Sequence, residues 1–395
     1  MKRSPRSGLM LLVLVLIGLN MRPLLTSIGP LLPQLRAASG MGFATASLLT
    51  ALPMVTMGAL ALAGGWINQH IDERHSVAVS LLMIICGALL RELAPHSVML
   101  LSSALIGGIG IGIIQVVMPT VIKRQFQRRM PQVMGLWSAA LMGGGGLGAA
   151  LTPWIAQHSE QWNQSLAWWA LPATIALIGW WPQSRAADTV NKKTVPHTGR
   201  VARHPRAWIL GLYFGVINGG YGSLIAWLPP YFIQLGKSAQ FSGTLLALMT
   251  VGQTVGALVL PLLARHQDRR KLLLFALLLQ MIGFLGFILW PMQQPILWAV
   301  IGGLGLGGAF PLCLVLALDH ASHPMISGKL VAFMQGIGFI IAGLSPYLSG
   351  ILRSLSGDFV VDWTFHALCV AGLMLLTLRF VPTRYPREWA EEKGR

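Results

Sequence analysis

Charged side chains are scarce in this chain of 395 residues, in which Asp, Glu, Lys and Arg make up 10% and hydrophobic residues 54%. Soluble domains carry about 25% charged residues, because polar groups must cover the surface that faces water. A chain surrounded by lipid has no such requirement, since lipid replaces water around most of its surface. The composition therefore argues strongly against a soluble protein and indicates an integral membrane protein.

Cysteine is also scarce, and its three copies all lie inside apolar runs: Cys86, Cys313 and Cys369. They form no Cys-x-x-Cys or Cys/His set with the spacing of metal ligands, so we expect neither disulfides nor a metal site. The glycine-rich runs at 107–112, 143–148 and 302–308 lack the Lys-Ser/Thr pair that follows a phosphate-binding loop. Small residues instead let membrane helices pack closely. We therefore predict a protein without cofactors.

Apolar runs of about 20 residues, long enough to cross a bilayer, recur twelve times along the chain. The runs lie near 9–35, 44–67, 76–93, 97–122, 132–156, 166–182, 207–233, 242–264, 271–292, 295–318, 330–352 and 365–381. We therefore predict an all-α integral membrane protein with twelve transmembrane helices.

Lysine and arginine are distributed unevenly between the connecting segments. With both termini placed in the cytoplasm, the segments on that side hold 24 of these residues and those on the other side hold 4. Positive residues favour cytoplasmic loops. The net charge of +17 is thus mostly a signal of topology, and we predict cytoplasmic termini and no nucleic-acid partner.

The two halves of the chain look alike. Three pairs of similar segments recur in the same order at an offset of about 195 residues: 70–74 and 266–270, 106–112 and 301–307, and 149–153 and 342–346. The longest polar stretch separates six spans from six. We therefore predict two pseudo-symmetric six-helix bundles at 8–182 and 207–381, a cytoplasmic linker at 183–206 and a cytoplasmic tail at 382–395.

This layout resembles the major facilitator superfamily, in which two bundles rock around a site near the membrane midplane. The family's loop motif G-x-L-x-D-R-x-G-R-R is degenerate here. Gly65 and Arg74 match it, but Gln69 and His70 stand where the family has Asp and Arg. The following longer strings are similar to the cyanate porter branch of that family: 16–35, 134–154, 217–231 and 329–346.

The resemblance implies a carrier in the bacterial inner membrane that moves a small anion, cyanate, by alternating access. Related members of the branch imply an alternative, the export of a small organic molecule such as a nitroheterocycle. By the same resemblance, four residues of two basic loops are candidates for gating contacts: Asp72, Arg74, Asp268 and Arg269. The alternative for these four is a solvated loop whose charges only set the topology.

Arg22 lies near the middle of the first predicted span. An intramembrane cation costs about 2.5–3.5 kcal/mol on insertion scales, so it should face a cavity or a partner. The guanidinium stays charged and offers a planar fork of donors that suits a small anion. No Asp or Glu lies in the middle of a predicted span, which favours an anionic ligand. The alternative is a structural role, with Arg22 bonded to helix carbonyls, Asn218 or Gln115.

Helical spacing and the pseudo-symmetry select further candidates around this arginine. Thr26 follows Arg22 by four residues and shares its helix face. The other candidates for substrate binding are polar side chains in or near the middle of predicted spans: Asn20, Gln115, Asn218, Tyr221, Gln253 and Gln335. The alternative for each amide is a hydrogen bond between helices, worth about 0.6 kcal/mol on average.

Import of an anion against an inside-negative potential costs about 2.3 kcal/mol per 100 mV. It therefore needs a coupled cation such as a proton, an exchanged counter-ion, or passage as the neutral acid. Proton coupling would use His366, or Asp319 with His320, or protonation of the substrate. The same Asp319–His320 cluster, with His323, lacks a third catalytic partner, so we do not expect an enzyme.

Overall fold

The computed structural model describes residues 5–93, 96–126, 129–183, 198–264, 268–320 and 324–384. These residues form helices and connecting segments, with no β-strand among them. Most of the predicted linker, most of the predicted tail, His266, Gln267 and His323 lie outside the described residues. Eleven helices in the described part are long and apolar enough to cross a membrane, and the all-α membrane fold is confirmed.

The helices of the first half are α1 (Pro5–Asn20), α2 (Pro23–Thr26), α3 (Leu32–Ser39), α4 (Phe43–Leu62), α5 (Gly64–His70), α6 (Glu73–Leu90), α7 (Ser97–Gln125), α8 (Met130–His158), α9 (Gln164–Ala167) and α10 (Ala170–Gln183). Those of the second half are α11 (Pro205–Gln234), α12 (Ala239–Leu262), α13 (Arg270–Leu289), α14 (Pro295–Asp319), α15 (Pro324–Ser356) and α16 (Val360–Thr377). Short 3₁₀ helices lie at Gly29–Leu31, Thr198–Arg203 and Pro382–Arg384.

The predicted span 166–182 differs from the other eleven. It corresponds to α9 and α10, which have only 4 and 14 residues. The chain turns between them at Trp168 and Trp169. There the indole of Trp169 donates a hydrogen bond of 2.9 Å to the hydroxyl of Thr152 on α8. This region is therefore a broken helix rather than one continuous span.

Helices of each half pack mainly on one another. In the first half α1 packs on α8 and α10, and α6 packs on α7 and α10; in the second half α14 packs on α12 and α13, and α11 packs on α15. Two long pairs, α4 with α15 and α8 with α12, join the halves. The bundle boundaries given from the sequence stay predictions.

The joining pairs run antiparallel and pack closely. A Cβ added to Gly58 of α4 would lie 2.6 Å from the carbonyl oxygen of Gly336 on α15, whereas Gly350 near the end of α15 meets Phe43 at the start of α4. Small residues at such contacts let two membrane helices approach closely. We call the side of the protein that holds Phe43 and Gly350 the distal face, and the opposite side, which holds the start of α1, the terminal face.

An aromatic cluster packs across the two halves at the distal face. The Phe43 ring lies 5.8 Å from the ring of Trp227 and 6.3 Å from that of Phe359. The guanidinium carbons of Arg36 and Arg353 lie 3.5 and 4.7 Å from the centre of the same ring. These five residues, the distal seal, join the ends of helices from both halves.

Candidate functional site

Arg22 lies at a break in the first predicted span, between α1 and α2. Pro23 begins α2; because proline has no backbone N–H and its ring crowds the carbonyl of Leu19 four residues earlier, the helix ends before it. The carbonyl oxygen of Arg22 accepts a hydrogen bond of 3.2 Å from the Thr26 hydroxyl. Arg22 as a whole residue is only 9% exposed, so the break places its guanidinium inside the protein.

Tyr221 of α11 meets this guanidinium from the other half. The guanidinium carbon of Arg22 lies 5.2 Å from the centre of the Tyr221 ring, a distance at which a cation and an aromatic ring attract each other. Within the described residues, the Arg22 guanidinium makes no hydrogen bond and no ion pair. The structure thus places two predicted site residues, Arg22 and Tyr221, in contact. The alternative hydrogen bonds from Arg22 to Asn218 or Gln115 are not found among the described residues.

The glycine run of α8 forms the wall beside Arg22. A Cβ added to Gly145 would lie 3.3 Å from the Cβ of Arg22, and one added to Gly148 would lie 2.5 Å from the hydroxyl of Thr26. Gly146 faces Thr250 of α12, whose hydroxyl would lie 2.5 Å from an added Cβ. Thr26 therefore packs against α8. Thr250 brings a hydroxyl from the second half to this wall, and no sequence pattern pointed to it.

Asn20 and Asn218 make the same contact in the two halves. The Asn20 amide donates to the carbonyl of Leu16 at 2.7 Å, and the Asn218 amide donates to the carbonyl of Phe214 at 2.8 Å. Both amides are buried. Each therefore uses one N–H of its side chain within its own helix, which leaves the second N–H and the carbonyl oxygen for a further partner.

The three glutamines are not joined to Arg22 by any hydrogen bond in the part of the chain that the structure describes. Gln253 is buried, and its backbone carbonyl packs against Gly307 of α14. Gln115 and Gln335 are half-buried. The side-chain oxygen of Gln115 is buried and accepts no bond from the described residues. A role for these three residues in substrate binding stays a prediction.

The four predicted gating residues have contacts within their own halves. Asp72 accepts bonds of 3.3 and 2.9 Å from the backbone N–H and Nδ1 of His75. The guanidinium carbon of Arg74 lies 4.4 Å from the centre of the Trp181 ring. The two candidates of the second half form ion pairs. Asp268 pairs with Arg270 at 2.7 Å, and Arg269 pairs with Asp319 at 2.8 Å. Hydrogen bonds from Arg270 hold the pKa of Asp268 below its usual range.

Asp319 and His320, which we considered for proton coupling, are engaged in other contacts. Asp319 pairs with Arg269. His320 donates from Nδ1 to the Leu316 carbonyl at 2.6 Å and accepts at Nε2 from Arg206 at 3.0 Å. Burial and the positive charge of Arg206 lower the pKa of His320 to about 4. A neutral imidazole with both nitrogens bonded is a structural contact rather than a proton carrier.

Arg91 is a second buried cation that we expected in a loop on the outer side. It follows α6 and is 1% exposed. It donates to the hydroxyl of Ser103 at 3.2 Å and to that of Ser27 at 3.5 Å. Burial lowers its pKa to about 9. Because Ser27 follows α2, Arg91 supports the segment that carries Arg22.

Asp362 was also missed, because we expected it in a loop. The predicted last span begins at 365, whereas α16 begins at Val360 and includes Asp362 as its third residue. The carboxyl group is fully buried, and His366 follows one helical turn later. The signal was the spacing of four between these two residues, which places them on one helix face.

Comparison with known proteins agrees with this fold. Residues 10–325 match the family model described as Major Facilitator Superfamily. The chain is 70% identical to the cyanate transport protein CynX of Escherichia coli K12, over 97% of this chain and 100% of that protein. It is 28% identical to the 2-nitroimidazole transporter of the same organism, over 93% of each chain.

Solved structures share the fold at low sequence identity. The inward-open xylose transporter XylE of E. coli has a TM-score of 0.76 and 15% identity, and the match covers 95% of this chain and 96% of that one. The nucleoside transporter NupG has a TM-score of 0.75, with 11% identity and 95% and 99% coverage. Because its relatives are transporters, the expectation of a transporter rather than an enzyme is confirmed. The chain is a multi-pass membrane transporter and belongs to the major facilitator superfamily.

Proposed function

We propose that this transporter moves cyanate across the bacterial inner membrane by alternating access, and that Arg22 binds the anion. The observation that carries the proposal is the buried guanidinium of Arg22, which has no anionic partner among the described residues. The similarity to CynX supports the choice of cyanate. The distribution of 24 against 4 positive residues supports placing both termini, and hence the terminal face, in the cytoplasm.

The chemistry of the guanidinium suits a small monovalent anion. Its N–H donors form a planar fork, and it is charged at every physiological pH. A cation at this depth costs about 2.5–3.5 kcal/mol, and a bound anion offsets part of that cost by making the pair neutral. Tyr221 supplies a ring from the second half, so closure of the two halves around Arg22 would enclose the anion.

Alternating access would open the distal seal and close the terminal face. The stack of Arg36, Phe43 and Arg353 joins the halves at the distal face, so opening must separate these side chains. At the other face we propose that Asp72, Arg74, Asp268 and Arg269 exchange their present contacts for contacts between the halves. The remaining candidates stay predictions as groups along the path: Asn20, Thr26, Gln115, Asn218, Gln253 and Gln335.

The test is uptake of carbon-labelled cyanate into proteoliposomes that contain the wild type, Arg22→Ala or Arg379→Ala. Arg379 is an exposed cation after α16 and serves as the matched control. We expect saturable uptake by the wild type and the control, and a loss of at least about tenfold in Arg22→Ala. Normal uptake by Arg22→Ala at equal protein content would remove Arg22 from the site. Uptake by the wild type equal to that of empty liposomes would remove cyanate import.

A second candidate function is the export of a nitroheterocycle. It is favoured by the Tyr221 ring beside Arg22, because a flat heterocycle stacks on an aromatic ring while its nitro group accepts bonds from a guanidinium. The similarity to the 2-nitroimidazole transporter points the same way. Efflux of labelled 2-nitroimidazole from loaded proteoliposomes, with no cyanate uptake, would favour this candidate.

A further inference from the structure

The second half contains a buried acid and base that the proposed anion site does not use. Oδ1 of Asp362 lies 3.5 Å from Nε2 of His366, and the two side chains are 0% and 3% exposed. Neither carboxyl oxygen of Asp362 accepts a hydrogen bond of good geometry from the residues that the structure describes. A buried carboxylate without donors is costly, so this pair needs an explanation.

A chain of hydroxyl groups connects the pair to two other helices. The hydroxyl of Ser349 on α15 lies 3.4 Å from Nε2 of His366. It lies 2.8 Å from the hydroxyl of Ser223 on α11, which in turn lies 3.1 Å from that of Ser345. Hydroxyl groups both donate and accept, so this serine chain can adapt to either protonation state of the pair.

His366 also borders a cavity of about 400 Å³ between α11, α15 and α16. Ser345 and Cys369 line the same cavity. Most of its lining is apolar and includes the exposed residues Leu344, Tyr347 and Leu348, so His366 lies close beneath the outer surface of these helices.

Among the residues that the structure describes, no lysine or arginine forms an ion pair with Asp362. The elements packed against α16 carry many titratable groups: Arg206, Tyr213, Tyr221 and Tyr231 of α11, Arg270 and Lys271 of α13, Lys329, Tyr347 and Arg353 of α15, and, on its own element, Cys369 and the preceding Asp358. Of these, Tyr213 bonds to Thr377 and Arg270 to the carbonyl of Leu378, at the far end of α16 from the pair. Arg353 contacts Phe43, Phe359 and Gln234 at the distal seal. From α13 the pair meets Phe284, which stacks on His366 with ring centres 5.5 Å apart. Without a proton the pair would thus carry a buried negative charge, whereas with one proton it is neutral.

We infer that Asp362 and His366 form the proton-binding site through which this transporter couples anion movement to a proton. This inference rests on the proposed function for the identity of the co-transported anion. The pair takes one proton from water on one side, onto the Asp362 carboxylate or Nε2 of His366, and releases it to water on the other side. No bond of the anion changes, and one proton carried with one monovalent anion moves no net charge.

The link to the anion site runs through α11 and α15. Gly220, which neighbours Tyr221, packs so closely that an added Cβ would lie 3.3 Å from Phe284 and 3.9 Å from Nδ1 of His366. Ser349 belongs to α15, the helix that packs along α4 of the first half. A change of charge on the pair changes which group Ser349 donates to, and thereby the contact of α15 with α11.

The first test does not depend on cyanate. Purified wild type, Asp362→Asn and Asp358→Asn are titrated from about pH 6 to about pH 9, and the released protons are counted. Asp358 is the matched control, because it precedes the same helix and is partly exposed. We expect the wild type and Asp358→Asn to release about one proton more than Asp362→Asn. Equal release by all three proteins would overturn the inference.

The second test separates coupling from folding. In proteoliposomes an imposed pH gradient drives accumulation of labelled cyanate, and exchange of internal for external cyanate is measured without a gradient. We expect Asp362→Asn and His366→Gln to lose gradient-driven accumulation by at least about tenfold and to keep exchange within about twofold. A merely structural role would lower both activities together. Retained accumulation in Asp362→Asn, or equal loss of exchange with no rescue by Asp362→Glu, would overturn the inference.

The two tests fail in different ways. Absence of any cyanate transport by the wild type would remove the proposed function, while the proton count would still decide whether the pair binds a proton. Normal cyanate transport with no dependence on Asp362 or His366 would remove the proton site and leave the proposed function intact.

Discussion

The two halves share a helix plan but differ in their buried charges. Asn20 and Asn218 lie 198 positions apart and make the same hydrogen bond within their helices. At that offset Arg22 of the first half corresponds to Gly220 of the second, which leaves room for His366 instead of a cation. The repeat thus determines helix geometry, whereas the chemistry that we assign to transport lies where the halves diverge.

The largest effects on stability should come from filling the closest contacts between helices, one of which lies behind Arg22. A Cβ added to Gly144 of α8 would overlap the carbonyl of Leu19, at the break in the first span. Overpacking of this kind costs about 1–3 kcal/mol. We expect Gly144→Ala to lower the thermal unfolding midpoint of the purified protein and to raise the KM for transport, because the Arg22 segment must shift.

Two further variants test whether the rise in KM is specific to the contact behind Arg22. A Cβ added to Gly256 of α12 would overlap the carbonyl of Leu304 on α14, so Gly256→Ala should lower stability without changing KM. Gly372 has no atom within 4 Å of an added Cβ, and Gly372→Ala should be neutral or stabilising by up to about 1 kcal/mol. Equal KM values for Gly144→Ala and the wild type would contradict the placement of Gly144 beside the site.

A smaller effect distinguishes the two buried arginines of the first half. Arg91→Lys loses the guanidinium that bonds to Ser27 and Ser103, and we expect it to lower the free energy of unfolding by about 0.5–1.5 kcal/mol with little change in KM. Arg22→Lys keeps the charge but loses the planar fork, so KM should rise while stability stays near that of the wild type. Thermal unfolding and uptake kinetics of both variants test the contrast. The reverse pattern would exchange the roles of Arg22 and Arg91.

The smallest effect should come from the loops at the terminal face. Arg270 lowers the pKa of Asp268 in the folded protein, so this pair stabilises the protein at neutral pH and loses that contribution only as the pH falls through the lowered pKa. The carboxyl group is partly exposed, and exposed pairs contribute less than about 1 kcal/mol. We expect Asp268→Asn to change the unfolding midpoint slightly at pH 7 and not at all in strong acid. A large shift at pH 7 would contradict this interpretation.

Much of the fold follows from local patterns. The length of the apolar runs and the uneven distribution of positive charge depend only on residues close in sequence, and they predict the membrane class. The break in the sixth predicted span was not predicted; the turn at Trp168 and Trp169 is accompanied by a hydrogen bond to Thr152 in a different helix, which no local pattern reveals. The break near Arg22 has a local cause in Pro23, but its extent depends on packing against α8.

Less of the candidate site could be predicted. Arg22 was recognisable because a cation inside an apolar run is unusual, and its contact with Tyr221 agrees with the expected pseudo-symmetry. Thr250 depends on the pairing of α8 with α12, which no local pattern reveals. Asp362 was missed because it precedes the apolar run, although the helix begins before it.

The most direct test of the central claim is equilibrium binding of labelled cyanate to purified wild type, Arg22→Ala and Arg379→Ala. We predict saturable binding to the wild type and to Arg379→Ala, and an affinity lower by at least about tenfold in Arg22→Ala. Binding of equal affinity by Arg22→Ala and the wild type would contradict the claim that the buried guanidinium holds the anion.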